Sequence, residues 1–231
     1  MLNTIKSASN RLLSPFGIQI VRKGQDGLVY QHHYNGGYQE YRGHQIAANK
    51  AKLDRVWAEN TTLSAIVQDI ESRNLGVHDG VCHGARNGWE VEQFNDRLAG
   101  SVIGTDISET AEQFPDMVCH DFHEEKAEWE NRFGFIYTNS LDQAFDPAKA
   151  LRAWSRQLRA DGVIYIEHTM AHSPSGAGSM DPFGAHPMVM PYLIAKWGNG
   201  DFAPVGVMEL DVREHAGKDK VWVFLVQKLR P

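Results

Sequence analysis

The stretch GVCHGARNGWE, residues 80–90, places three glycines, a cysteine, a histidine and an arginine on one turn. An apolar run precedes it, and the residues after Gly88 have the apolar spacing of a helix. Glycines let a backbone approach a ligand closely, and the first turn of a helix offers unpaired N–H groups. The stretch therefore predicts a ligand-binding turn between a strand and a helix. A tight turn with a structural role only is the alternative.

Two common nucleotide-binding patterns are absent from this turn. The dinucleotide fingerprint G-x-G-x-x-G is already broken by Gly80-Val81-Cys82. The P-loop is absent too, because no Gly-Lys-Ser/Thr follows. The turn therefore disfavours an NAD-dependent oxidoreductase.

Short apolar runs alternate with helical segments from residue 74 onward, which implies a parallel sheet with helices on both of its faces. One helical segment, DPAKALRAWSRQLRADG, is predicted to start at an Asp146 cap and to end at Gly162. The alternation then stops. The tail is predicted to form an antiparallel hairpin, since VGVMELDVRE and KVWVFLVQKL flank the turn HAGKD. The predicted strands before it are LGVHDGVC, SVIGTDI, DMVCHDF, FGFIYTNS and VIYIEH.

The N-terminal part has a different pattern. Residues 1–23 predict a short helix followed by a strand, FGIQIV, and residues 24–44 predict a loop rich in Gly, Tyr and His. From Gln45 to about Arg73 the apolar spacing predicts two helices, with Thr61 and Thr62 as the cap between them. We expect residues 1–73 to be an extension that acts as a cap or lid. Residues 74–231 are then the nucleotide-binding domain.

Composition limits the functional classes. A chain of 231 residues fits one domain with extensions, and a net charge of −6 argues against a nucleic-acid surface. Its two cysteines favour a reducing compartment. No apolar run approaches the roughly 18 residues of a membrane-spanning helix. We expect a cytoplasmic protein with neither nucleic acid nor membrane as its partner; the sequence carries no signal of its oligomeric state.

Acidic and polar residues follow the next three predicted strands. Asp106 lies 22 positions after Gly84, close to the spacing of about 20 at which a carboxylate binds a ribose, and a helix cap is its alternative. Asp121 and Phe122 could bind the amino group and the ring of an adenine, with an ordinary turn as the alternative. The fourth strand ends in Asn139, Ser140, Leu141 and Asp142, which could face the reacting end of a ligand.

This order of elements resembles a class I S-adenosylmethionine-dependent methyltransferase over about residues 74–230. The resemblance implies a Rossmann-like sheet and S-adenosylmethionine as the cofactor. It also implies residue roles: the methionine part of the cofactor is wrapped by Val81, Cys82, His83, Gly84, Arg86 and Asn87, the ribose and adenine contact Asp106, Ile107, Asp121 and Phe122, and Asn139, Ser140 and Leu141 lie beside the methionine end.

Two positions depart from that family. Cys82 stands where the family has an acid, which is a partner for the ammonium group of the cofactor, and Arg86 stands where it has a glycine. These departures keep a second function open, a non-catalytic module of the same fold that binds a nucleoside.

The predicted acceptor side lies in the loop after the fifth strand, EHTMAHSPSGAGSMDPFGAHP, residues 167–187. An oxygen acceptor needs a base, and His168 is our candidate for that catalytic role. The alternatives are a divalent metal, although the spacing matches no standard metal signature, and histidines that only form hydrogen bonds. We expect methyl transfer to a small polar molecule, with a sugar or a related metabolite as the acceptor. Its predicted contacts are Asp142, His172, Asp181 and His186.

Overall fold

The computed structural model describes residues 27–73, 79–211 and 220–229. The helix and strand predicted within residues 1–23 lie outside these ranges. Within them the helices are α1 (Gly37–Ala51), α2 (Asn60–Ser72), α3 (Trp89–Asn95), α4 (Pro147–Gln157) and α5 (Met190–Gly198). The strands are β1 (Val29–Gln31), β2 (Gly80–His83), β3 (Val102–Asp106), β4 (Met117–Cys119), β5 (Phe133–Thr138), β6 (Leu158–Thr169), β7 (Phe183–Ala185), β8 (Phe202–Leu210) and β9 (Val221–Lys228).

Seven strands form one sheet in the order β4-β3-β2-β5-β6-β9-β8. The first five are parallel to one another, whereas β9 runs antiparallel to both β6 and β8. This confirms the predicted α/β fold, a Rossmann-like, mostly parallel sheet ending in an antiparallel hairpin. The strand order changes direction between β2 and β5, and ligands of such sheets bind in the crevice outside the carboxyl ends at that point.

The sheet is covered on both faces. Leu151 and Trp154 of α4 pack on one face together with Val81 of β2. Leu63 of α2 packs on the other face together with Cys82, because successive side chains of a strand point to opposite sides. The central strands are therefore buried throughout, and only their ends can present side chains to a ligand.

Helix α4 begins as predicted and ends earlier than predicted. Asp146 Oδ1 accepts a hydrogen bond from Lys149 N at 2.9 Å. The helix ends at Gln157 because Leu158 pairs with Phe133 and begins β6. Gly162 lies inside that strand, where a Cβ would come within 2.8 Å of Gly134 O. Gly162 therefore permits close approach of two strands, and the prediction that it ends the helix is wrong.

Helix α1 begins at Gly37, so the prediction of a loop up to residue 44 is wrong at its end. Its buried positions are Tyr41, Gln45 and Asn49, which are polar and so give no apolar period. The N-cap of α2 is Glu59 rather than a threonine, and Thr62 lies buried inside the helix.

A small antiparallel sheet joins the N-terminal part to the loop after β6. Strand β1 pairs with β7, with Val29 opposite Ala185. The pairing holds residues 182–186 against residues 28–32. Among the helices of the described ranges, none is long and apolar enough to cross a membrane.

Candidate functional site

Three adjoining cavities open at the carboxyl ends of the central strands, and each is named here after one acid in its wall. The Asp106 cavity lies at the end of β3, the Glu90 cavity lies beside the glycine turn, and the Asp142 cavity lies next to the loop that follows β6. Gly84 borders the first two cavities, and Arg86 borders all three. The glycine turn therefore lies at the centre of the crevice.

Asp106 ends β3 and is only 8% exposed. One of its oxygens accepts a hydrogen bond from Ser108 N at 3.0 Å, and burial raises the pKa of Asp106 above its usual value. Ser108 caps the 3₁₀ turn that follows. The alternative prediction, that Asp106 is the cap residue, is therefore wrong. The carboxyl group lies in the wall of the cavity with Ile107 beside it.

Phe122 and Asp121 form the neighbouring part of this wall. Asp121 Oδ1 accepts a hydrogen bond from His123 N at 3.0 Å and lies 2.7 Å from His123 Nδ1. The His123 contacts fix the carboxylate in a turn, while the Phe122 ring supplies an apolar surface. This pair gives the wall of the cavity an apolar ring beside a carboxylate.

Helix α1 provides the opposite wall through its buried polar side chains. Gln45 Nε2 donates to Met180 O at 2.9 Å, and Asn49 Oδ1 accepts from Thr110 Oγ1 at 2.7 Å. Asn49 is buried beside Asp106, and a hydrogen bond from its side chain opposes the rise in the pKa of Asp106. The sequence reasoning missed this wall, although polar residues at positions 41, 45 and 49 follow the spacing of one helical face.

The glycine turn has a left-handed backbone at three positions. Gly84 has φ 75° and Gly88 has φ 74°, as glycine readily allows. Arg86 also has a positive φ, 45°, in the left-handed region that glycine adopts most easily. Its Nη1 donates to Arg55 O at 3.0 Å, while Asn87 Nδ2 donates to Leu53 O at 2.9 Å. The turn is thereby tied to the segment between α1 and α2.

The side chains of β2 lie in the core instead of in the crevice. Val81 and Cys82 are buried on opposite faces of the sheet, and burial raises the pKa of the Cys82 thiol. His83 lies against Thr105 Oγ1 and Gln157 Oε1, each at 2.9 Å, and burial lowers its pKa to about 3. A ligand could therefore meet these three residues only through their backbone, and their place in the cofactor site stays a prediction. Leu141 likewise packs in the core.

Glu90 lies in the first turn of α3 and is only 6% exposed. Its Oε1 accepts a hydrogen bond from Asn139 Nδ2 at 3.4 Å. Burial raises the pKa of Glu90 to about 7, and the Glu167 charge acts in the same direction while Arg86 opposes it. Gly84 and Asn139 line the same cavity. The sequence reasoning missed Glu90, since an acid in the first turn of a helix commonly faces solvent.

The Asp142 cavity contains two acids and several cations. Asp142 and Asp181 line it together with Lys52, Arg55 and Arg86. Burial raises the pKa of Asp142 well above its usual value, and the Asp181 charge adds to that effect. Burial also raises the pKa of Asp181, which Lys52 and Arg86 oppose. Asp142 Oδ1 is buried with no hydrogen-bond partner in the described part of the chain.

His172 borders this cavity in one defined orientation. Its Nδ1 accepts a hydrogen bond from Thr169 N at 3.0 Å. In the neutral ring the proton is therefore on Nε2, which lies 3.9 Å from Asp142 Oδ2. His172, Asp142 and Asp181 thus lie together, as the sequence reasoning placed them, and Ser140 and Asn139 line the same cavity.

His168 and His186 lie outside the three cavities. His168 is 3% exposed, its Nε2 donates to Ala185 O at 2.9 Å, and burial lowers its pKa to about 4. β7 covers the ring through Ala185, so His168 does not open into the crevice, and its role as a base stays a prediction. His186 caps the turn Pro187–Val189 through Met188 N. Across the described ranges there is no group of three or more His, Cys, Asp or Glu side chains placed to hold a metal ion.

Comparison with solved structures identifies the fold. The 1,6-didemethyltoxoflavin-N1-methyltransferase of Burkholderia thailandensis is 17% identical, with a TM-score of 0.61 over 83% of this chain and 88% of that one. An S-adenosylmethionine-dependent methyltransferase from Clostridium acetobutylicum is 13% identical, with a TM-score of 0.55 over 78% and 96%. Magnesium protoporphyrin IX methyltransferase from Synechocystis is 12% identical, with a TM-score of 0.53 over 84% and 100%.

The chain has the fold of class I S-adenosylmethionine-dependent methyltransferases. The Burkholderia enzyme was solved with bound 1,6-didemethyltoxoflavin and S-adenosylhomocysteine, and the Synechocystis enzyme with bound S-adenosylmethionine. No protein-family model and no curated protein sequence matches this chain. In this methyltransferase fold, the crevice at Gly84 and Asp106 lies outside the carboxyl ends of the central strands, at the point where the strand order reverses.

Proposed function

We propose that the protein transfers a methyl group from S-adenosylmethionine to a small polar molecule, with a sugar or a related metabolite as the acceptor. One observation carries this proposal. The residues that line both the Asp106 cavity and the Asp142 cavity are Lys52, Arg86, Gln143 and Asp181, so ligands in the two cavities would meet. Holding two reactants next to each other is the main requirement of a methyl transfer.

The residues of the Asp106 cavity fit the nucleoside part of the cofactor. Asp106 supplies a buried carboxyl group for the ribose hydroxyls, and Phe122 supplies an apolar surface for a purine. Gln45 and Asn49 add buried amide groups to the wall of the same cavity. When bound, S-adenosylmethionine supplies an electrophilic methyl group on its sulfonium.

The Asp142 cavity fits a polar acceptor. Its acids, its cations and His172 could form hydrogen bonds to several hydroxyl groups at once. An oxygen acceptor must lose its proton, and a carboxylate whose pKa is raised is a stronger base than an ordinary one. Asp142 has this property and borders the cavity, so we assign it the proton-accepting role. His168 is the alternative base. Its Nε2 already donates a hydrogen bond to Ala185 O, so this nitrogen would have to leave that bond to meet a substrate.

The helices before residue 73 fit the role of a lid over residues 79–229. Tyr41 and Gln45 of α1 lie across the Asp106 cavity, and Arg55 and Trp57 border the Asp142 cavity. Two free cysteines fit a reducing compartment, and we propose the cytoplasm. The net charge of −6 fits a small-molecule partner better than a nucleic acid.

The second candidate is a non-catalytic module that binds S-adenosylmethionine or a related nucleoside. The observation that favours it is the departure at Cys82, which leaves the strand end without an acid. The two candidates differ in turnover and share cofactor binding.

Calorimetric titration separates these candidates from other functions. We expect S-adenosylmethionine and S-adenosylhomocysteine to bind and NAD to give no heat of binding. Release of S-adenosylhomocysteine is then measured with a panel of sugars and related polyols. Product formation with one of them supports the enzyme, and binding without product across the panel supports the module. Binding of NAD in preference to both sulfur nucleosides would overturn the proposal.

A further inference from the structure

Cys82 is the position at which the methyltransferase family has an acid, and its side chain lies in the core. It packs on the α2 and α3 side of the sheet, where burial raises the pKa of the thiol. A thiol in that setting is neutral and supplies no charge to the crevice. The ammonium group of a bound S-adenosylmethionine therefore needs another acid near the glycine turn.

Glu90 brings a carboxyl group to that turn from a different element. It belongs to the first turn of α3, directly after Gly88, and lines a cavity with Gly84 and Asn139. Gly84 also borders the Asp106 cavity, so a ligand with its nucleoside there would extend past Gly84 towards Glu90. The Glu90 cavity continues into the Asp142 cavity through Arg86 and Asn139.

The surroundings of Glu90 are unusual for an acid. It is 6% exposed, and its one side-chain partner is Asn139 Nδ2 at 3.4 Å. Within the described ranges Glu90 forms no ion pair with a Lys, Arg or His, although the charge of Arg86, in the wall of the same cavity, acts on it. A buried carboxyl group without a paired cation is unfavourable in a folded protein. A cationic group of a ligand would remove that unfavourable situation.

We propose that Glu90 binds the ammonium group at the amino-acid end of S-adenosylmethionine, in place of the acid that is missing at Cys82. This assignment rests on the proposed function. It makes Glu90 the residue that distinguishes a sulfur nucleoside with an amino-acid end from one without it. Asn139 positions the carboxyl group by its hydrogen bond.

The titration behaviour of Glu90 agrees with this role. Burial raises its pKa to about 7, Glu167 adds to the effect, and Arg86 and the Asn139 amide oppose it. The other titratable groups that face it, the Cys82 thiol and the Tyr137 hydroxyl, both have raised pKa values and are neutral at pH 7. A bound ammonium group favours the charged carboxylate.

The test compares two ligands that share the nucleoside and differ at the amino-acid end. S-Adenosylhomocysteine has the ammonium and carboxylate groups, and 5′-methylthioadenosine has neither. Calorimetry gives their dissociation constants for the full chain, for Glu90→Gln and for Glu92→Gln, the control on the same turn of α3. Glu92 is exposed, so its change leaves the crevice intact. Gln keeps the oxygen that accepts from Asn139, and a melting curve verifies that each variant is folded.

We expect Glu90→Gln to weaken S-adenosylhomocysteine by about 10-fold or more, since an ionic hydrogen bond is lost, and to leave 5′-methylthioadenosine unchanged. Glu92→Gln should change neither constant. Unchanged binding of S-adenosylhomocysteine to Glu90→Gln, or an equal loss for both ligands, would overturn the Glu90 assignment while the proposed function stands. If the unaltered chain binds neither nucleoside, the proposed function fails, and the assignment fails with it.

Discussion

Gly84 and Ser140 lie against each other across the ends of β2 and β5, and a Cβ on Gly84 would come within 2.6 Å of Ser140 Cβ. Gly84 also has a left-handed backbone, φ 75°. The contact holds the glycine turn beside the residues that follow β5. Both strands flank the point where the sheet changes direction, so the shape of the crevice depends on this contact.

We therefore expect Gly84→Val to abolish binding of S-adenosylhomocysteine and Gly84→Ala to weaken it. Each change also lowers the free energy of unfolding by about 1–3 kcal/mol, because a side chain is strained at this φ and must displace Ser140. Calorimetry and denaturant titration measure the two effects. Gly43→Ala is the matched control, since no atom lies within 4 Å of an added Cβ there and alanine suits a helix. Normal binding of S-adenosylhomocysteine by a folded Gly84→Val variant would show that the glycine turn does not bind the ligand.

Asp106 is expected to bind the ribose. Asp106→Ala should weaken S-adenosylhomocysteine by about 2 kcal/mol, or roughly 30-fold, because charged hydrogen bonds to the hydroxyl groups are lost. Asp106→Asn is the more selective variant, since its Oδ1 still accepts from Ser108 N while the charge is removed. An unchanged dissociation constant in both variants would remove Asp106 from the cofactor site.

Asp142 is expected to accept the proton of the acceptor. Asp142→Asn should lower turnover by roughly 10²–10⁴-fold, with the affinity for S-adenosylhomocysteine nearly unchanged. Asp54→Asn, an exposed acid on the segment after α1, is the control and should keep full turnover. Turnover of Asp142→Asn within a few-fold of the unaltered chain would rule out this role.

His168 is expected to fix the loop after β6 through its hydrogen bond to Ala185 O. Its pKa is about 4 in the folded chain and about 6.5 in an unfolded one, so the unfolded state binds more protons between these values. Stability from this group is present above pH 6.5 and is lost as the pH falls towards 4. His168→Gln keeps a donor for Ala185 O. It should lower the number of protons taken up on unfolding between pH 4 and 6.5 by up to about one, which is read from the slope of the free energy of unfolding against pH.

Turnover of the same variant decides between the roles of His168. If the ring only fixes the loop, turnover per folded molecule is kept, and His168→Ala loses stability alone. A fall of roughly 10²–10⁴-fold in His168→Gln would instead support the general base. Loss of activity with a chelator, restored by a divalent metal, would support a metal ligand.

The sheet was predictable because its strands are buried on both faces. VIYIEH and FGFIYTNS are apolar almost throughout, and that pattern depends on local sequence alone. The pairing of β8 with β9 was predictable from the two apolar runs near the end of the sequence, whereas the predicted turn HAGKD lies outside the described residues. Asp106 ends β3 and Phe122 follows the end of β4 by three positions, so the sequence pattern placed both near the crevice that they line.

The rest of the site depends on contacts between distant segments. Tyr41 and Gln45 line the crevice through a helix whose buried face is polar, so no apolar period marks it. Glu90 is buried because Asn139 and the glycine turn close over it, 49 positions away along the chain from that asparagine. The cover of β7 over His168 depends in the same way on pairing between residues 29–31 and 183–185. Patterns of single segments carry no information on such pairings.

Strand β9 lies between β6 and β8, although it follows both of them in the chain. During synthesis the ribosome therefore releases β8 before the strand that will attach it to the sheet. Until Val221–Lys228 has emerged, β6 keeps an open edge in the middle of the future sheet, at Ile164 and Ile166. Open apolar edges pair readily with other chains. A nascent chain that stalls before β9 is thus prone to aggregate, because β8 joins the sheet only through β9.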